Sequence, residues 1–285
     1  MPKILCFGAI CADLRMRLPR LPRPGEGMHV AEAVWSAGGN ALIEARALAA
    51  WGVRVALMGD ALGVDEPGEL VSAELRRLGL DAEIRRDPAA RTVVCHILLT
   101  PDGERTILAL RPPNPPPALP SSELLRACRL VSVTRYGPRT VEVAALARAA
   151  GATLVAGDAT RPDDALAQLA DVLVTSADLL AAHTPGVALG AQMAALHAVR
   201  GAAVVVTDGP RPVRAIWAEG GATHAATLTP PAVTPHDTTG AGDIFRAGVA
   251  LGLLRGWGWP ATLERACAEA SKAIGNREQG TGNSV

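Results

Sequence analysis

Short apolar runs alternating with Ala- and Leu-rich helical stretches constrain this chain more than any other feature. The runs are ILCFGAI (4–10), VRVALMG (53–59), LVSVT (130–134), TLVAGD (153–158), VLVTS (172–176) and AAVVVTDG (202–209). Between them lie helical patterns over 40–51, 67–79, 139–150, 163–170 and 189–200. Such βαβ alternation predicts a mainly parallel sheet covered on both faces, a three-layer αβα sandwich. With 285 residues, 49% of them hydrophobic, the chain has ample material for a large core. In sheets of this kind ligands sit at the carboxyl ends of the strands. Asp13, shortly after the first strand, Asp60, Asp158, Ser176 with Asp178, and Thr207 with Asp208 fall there.

One region departs from the alternation. RTVVCHILLTPDGERTILALR (91–111) is two β-rich runs around a Pro-Asp-Gly turn, an antiparallel hairpin. Residues 13–40 also read as extended, with prolines that forbid a regular helix. A small β-sheet lid over about 13–36 and 91–111 is therefore expected, on a single domain spanning 1–285. The segment RPPNPPPALP (111–120) reads as a stiff connection back to the main body.

Composition narrows the partners. Lys plus Arg and Asp plus Glu are 28 each, so no net field favours nucleic acid or an anionic membrane. No window has the apolar length of a membrane span, and MPKILCFGAI lacks the apolar stretch of a signal peptide. Cysteines 6, 11, 95, 128 and 267 are odd in number and form no CxxC pair. They read as reduced core thiols rather than a disulfide framework or zinc site, and point to a soluble cytoplasmic protein.

The chemistry concentrates in VTPHDTTGAGDIFRAGVALGLL (233–254). Gly240 and Gly242 admit backbone angles that other residues resist, which brings N–H groups close to a ligand. Ile244, Phe245, Ala247, Val249, Leu251 and Leu254 then read as a buried helix, whose first amides lack internal partners and carry a positive dipole end. This is an anion cradle with the carboxylate of Asp243 beside it. Alone, the stretch is equally a loop with an ordinary helix-starting Asp.

DTTGAGDIF near the C-terminus, AGGNALIEARALAAWG (37–52) and GAICAD (8–13) occur in an order that resembles the ribokinase-like (PfkB) carbohydrate kinases, over essentially the whole chain. The resemblance implies a kinase using ATP and Mg²⁺, with a monovalent cation such as K⁺ as a further implied cofactor. By it, Asp243 is the general base and Gly240, Ala241 and Gly242 form the anion hole; a helix N-terminus should keep Asp243 ionised, a modest base. Asp13, Gly38, Gly39 and Asn40 resemble sugar-binding positions. Thr207, Gly209 and Thr239, with Gly240 and Gly242, resemble the nucleotide site, and residues 268–280 the segment closing over adenine.

Three departures stand out. Ile43 occupies a position where many relatives have a sugar-contacting Asn. The usual N-x-x-E motif for Mg²⁺ is missing after DVLV, leaving Asp178 or Asp158 as candidate ligands; Asp178 is equally a helix N-terminal residue. Residues 132–187 resemble the ketohexokinase and sulfofructose kinase branch, where Arg135, and less directly Arg111, would face an acidic substrate group. The implied reaction is phosphorylation of a primary hydroxyl on a ketose-like sugar or acidic sugar derivative. A nucleoside kinase, with Trp35 of the lid stacking a base, and a non-catalytic ligand-binding descendant are the alternatives. The exposed face of the lid sheet offers a route to a homodimer.

Overall fold

The computed structural model describes residues 3–30, 32–134, 137 and 139–275. In chain order, β1 (Ile4–Gly8), β2 (Cys11–Arg17) and β3 (Glu32–Gly38) lead into α1 (Asn40–Ala50). Next come β4 (Val55–Gly59), α2 (Glu66–Leu78), β5 (Asp81–Ala82), β6 (Val94–Leu99) and β7 (Arg105–Leu110). The middle alternates regularly: α3 (Ser122–Ala127), β8 (Leu130–Thr134), α4 (Thr140–Ala149), β9 (Thr153–Gly157), α5 (Ala165–Leu169) and β10 (Val172–Ser176). After α6 (Ala177–His183), α7 (Leu189–Ala198) and β11 (Ala203–Asp208), a hairpin of β12 (Arg211–Glu219) and β13 (Ala222–Leu228) precedes α8 (Ala241–Arg255) and α9 (Trp259–Gly275).

Nine strands form the main sheet, in the order β13-β12-β11-β10-β9-β8-β1-β4-β5. All its pairs are parallel except the two made by β12. Strand residues alternate between the two helical layers, as a two-sided sheet requires. Ile4 and Cys6 pack with Leu42 and Leu48 of α1, Val71 of α2, Phe245 and Val249 of α8 and Leu263 of α9. Leu5 and Phe7 pack on the other side with Leu125, Val143, Leu166, Leu180 and Leu196 of α3 to α7. The expected three-layer fold with a mainly parallel sheet and a separate small sheet is what the chain adopts.

That small sheet has the order β3-β2-β6-β7, with β2 and β6 parallel and the other pairs antiparallel. Asp13 is an interior residue of β2 rather than a turn residue following β1. The register places Asp13, Arg15, Cys95 and Ile97 on one face, and Leu14, Trp35, His96 and Leu108 on the other. Cys95 is half-buried here, so it is not the core thiol the sequence led us to expect. Among the described residues no helix is long and apolar enough to cross a membrane.

Candidate active site

The turn before α8 is built on one left-handed residue. Gly240 has φ 77° and starts the helix, whereas Gly242 takes ordinary helical angles, contrary to the expectation that both glycines serve the backbone in the same way. A Cβ on Gly242 would meet no protein atom within 4 Å. The Ala241 N–H turns back on Thr238 O at 3.3 Å, and Ile244 N–H donates to Gly240 O at 3.0 Å. Thr239 is buried, its amide donates to Asp237 Oδ1 at 2.8 Å, and its hydroxyl has no partner in the protein. A buried, unpartnered hydroxyl beside a helix N-terminus suits a phosphate oxygen.

Asp243 lies in the first turn of α8, with a fifth of its side chain exposed. Arg246, one turn on, donates from Nη2 to Asp243 Oδ1 at 3.1 Å and from Nε to Glu44 Oε2 of α1 at 2.9 Å. Arg246 and Glu44 are almost fully buried. Burial raises Asp243 to about 6, the Arg246 guanidinium opposes the rise, and Glu44 and Asp158 add to it. The helix dipole therefore does not decide the protonation of this carboxyl; desolvation does, leaving a stronger base than the sequence led us to expect. Neither Glu44 nor Arg246 was singled out from the sequence.

Asp158, just past β9, has φ 61°, the one positive value among described non-glycine residues. Such strain concentrates at functional sites. Its exposed carboxylate acts electrostatically on both Asp243 and Arg246, so it is a hard oxygen donor near that pair, which fits Mg²⁺. Asp178 fits less well. It sits in the first turn of α6, 93% exposed and 3.9 Å from Arg211, on a helix capped by Ser176. Thr207 is the next-to-last residue of β11, its hydroxyl donating to Thr175 O at 3.3 Å, and Gly209 follows the strand with φ 57°.

The second half of the site is the start of the small sheet. Asp13 is buried, and a Cβ on Gly38 would come within 1.9 Å of its Oδ2, so only glycine lets β3 lie against this carboxylate. Gly39 has φ 96° and caps α1, where a Cβ would strike Ala9 O at 2.3 Å. Asn40 Oδ1 accepts from Ala9 N–H at 2.8 Å, which ties the helix start to the end of β1. Arg111 follows β7 and its charge acts on Cys95, beside Asp13. Arg135 lies outside the described residues, as does 276–280 of the segment expected over adenine.

The two halves are clasped together. Arg15 of β2 pairs with Asp237 at 3.4 Å, and Arg105 of β7 donates to Thr238 Oγ1 at 3.0 Å. Thr238 in turn donates to Gly103 O at 3.1 Å. The small sheet thus grips the loop that carries the Gly240 turn.

Residues 1–284 match the family model described as pfkB family carbohydrate kinase. The chain is 28% identical to ketohexokinase from Mus musculus, over 96% of each chain. Among solved structures it is similar to Arabidopsis thaliana ribokinase complexed with ribose and ATP (TM-score 0.79, 23% identity, 97% of this chain and 94% of that one). It is likewise similar to adenosine kinase from Sinorhizobium meliloti (TM-score 0.80, 18% identity, 97% and 94%).

Proposed function

Because the chain belongs to the pfkB family of carbohydrate kinases and is a phosphotransferase acting on a sugar hydroxyl, we propose that it transfers the γ-phosphoryl group of ATP to a primary hydroxyl of a ketose-like sugar or acidic sugar derivative. The observation that carries this reading is Asp243, four-fifths buried at the head of α8 beside the Gly240 turn and raised to about 6. With Oδ1 held by Arg246, Oδ2 takes the proton of the attacking hydroxyl. The hydroxyl oxygen bonds to the γ-phosphorus, the bridging P–O bond breaks, and ADP leaves with the electron pair. The amides of Gly240 and Gly242 and the Thr239 hydroxyl neutralise charge on the transferring group, while the Ala241 N–H, turned back on Thr238 O, holds the turn in shape. Asp158 would hold Mg²⁺, which would supply further neutralisation of the phosphate oxygens when bound.

Asp13 accepts hydrogen bonds from sugar hydroxyls, with Gly38, Gly39 and Asn40 shaping the approach. Thr207 and Gly209 line the nucleotide side. Arg111 gives an anionic substituent a partner, so Arg111→Met should raise KM for a sugar acid more than for its neutral counterpart. A nucleoside acceptor fits less well, since Trp35 faces away from Asp13 and the Asp13 face of the small sheet presents no aromatic ring. That opposite face exposes Trp35, Leu108 and Leu110, and a second copy of the chain is the partner we propose for it. Five free thiols fit a reducing, cytoplasmic setting.

The test is ATP turnover on a panel of ketoses, sugar acids, ribose and adenosine. A sugar with kcat/KM at least tenfold above adenosine supports the reading; adenosine leading the panel overturns it. Sedimentation of the same protein tests the dimer.

A further inference from the structure

Three ligand-type side chains that the transfer chemistry does not use together converge in the small sheet. Cys11 and Asp13 are two apart on one face of β2, and Cys95 of β6 is the register partner of Asp13. Their donor atoms all lie within 4.8 Å of one another. Cys11 Sγ donates to Asp13 Oδ1 at 3.2 Å and stands 3.8 Å from Cys95 Sγ. In a tetrahedral site with Zn–S of about 2.3 Å and Zn–O of about 2.0 Å, two sulfurs sit ~3.8 Å apart and sulfur and oxygen ~3.5 Å. The two edges that Cys11 makes already stand near the edge lengths of such a tetrahedron.

We propose that Cys11, Asp13 and Cys95 form a site for a thiophilic divalent cation such as Zn²⁺, and that its occupancy withdraws Asp13 from the sugar. Two thiolates select a borderline-soft ion over the hard Mg²⁺ of the kinase reaction, so the two metals do not compete. Three protein ligands leave a fourth position for water. Cys11 and Asp13 are buried while Cys95 is partly open, which gives the ion its entry. Binding releases the two thiol protons to solvent. The resulting set carries one net negative charge, and Arg111, acting on Cys95, offsets it.

The exclusion of sugar rests on the reading of Asp13 as a sugar ligand; the metal site does not. Full-length protein kept reduced with a phosphine is titrated with Co²⁺, a spectroscopic stand-in, and then with Zn²⁺. A thiolate-to-Co²⁺ charge-transfer band that Zn²⁺ abolishes is expected. Cys11→Ser and Cys95→Ser should each lose the band's intensity and weaken Zn²⁺ at least tenfold, with the thermal shift by a non-hydrolysable ATP analogue unchanged as proof of folding. Absence of the band in the wild type, or wild-type Zn²⁺ affinity in both serine variants, overturns the site. With the best sugar of the panel, Zn²⁺ should raise KM for sugar and leave KM for ATP alone. An unaltered sugar KM in the Zn²⁺-loaded protein overturns the exclusion, and because the metal is read without turnover the two failures are told apart.

Discussion

Asp243 is the residue on which the proposed chemistry turns. Asp243→Asn should lower kcat by about 10²–10⁴ while ATP-analogue binding stays close to normal, measured by steady-state kinetics and calorimetry. Its carboxyl must be ionised to act, so kcat/KM should rise with pH through an acid limb near 6. Arg246→Met removes the charge that holds the carboxyl down, and the limb should move to higher pH. The same substitution strands Glu44 in the core, costing about 3–5 kcal/mol, much of which Glu44→Gln in the double variant should restore. The raised carboxyl also opposes folding. Between the usual Asp value and about 6 the folded chain keeps a proton the unfolded chain has released, so stability falls as pH rises through that window. Asp243→Asn should therefore melt above wild type at pH 8, a difference that closes near pH 4. The motif made Asp243 legible in the sequence. Glu44 and Arg246 left a fainter trace: opposite charges inside two largely apolar helices, 202 residues apart, whose meeting only the tertiary packing of α1 on α8 decides.

Within α8, glycines do different work at the two ends. Gly252 packs against Thr262 of α9, where a Cβ would come within 2.3 Å of Oγ1, while Gly242 faces no protein atom. Gly252→Val should lower the melting temperature by several degrees, since overpacking costs about 1–3 kcal/mol. Gly242→Val should leave it almost unchanged and lower kcat, because its branch crowds the transferring group alone; a matched loss of stability would place Gly242 in the core instead. The sequence marked α8 through its apolar run but not its seam with α9, because small residues that permit close approach look like any other glycine. The hairpin of β12 and β13 was missed altogether. Its signals were present: Gly220-Gly221, both with positive φ, and an alternation that buries Val213, Ala215 and Trp217. An edge hairpin breaks the βαβ rhythm that made the six central strands easy to read.

At the scale of the molecule, the small sheet and the loop before α8 are joined by the contacts of Arg15 and Arg105 with residues 237 and 238. Arg105→Met should raise KM for sugar several-fold with little change in melting temperature, because partly exposed polar contacts contribute little to stability. No local pattern announces a contact across 133 or 222 positions. The fold class was legible because every strand and helix repeats one rule, whereas the clasp occurs once. The position of β1 carries a consequence of its own. It lies between β4, which precedes the 111–120 connection, and β8, which follows it. A cut in that connection would leave Asp13 and Glu44 on one piece, Asp243 and Arg246 on the other, and the middle of the sheet open between them. Neither piece owns a complete site, so phosphorylation in a mixture of the two counts reassembled molecules, and the enzyme becomes a reporter of its own joining.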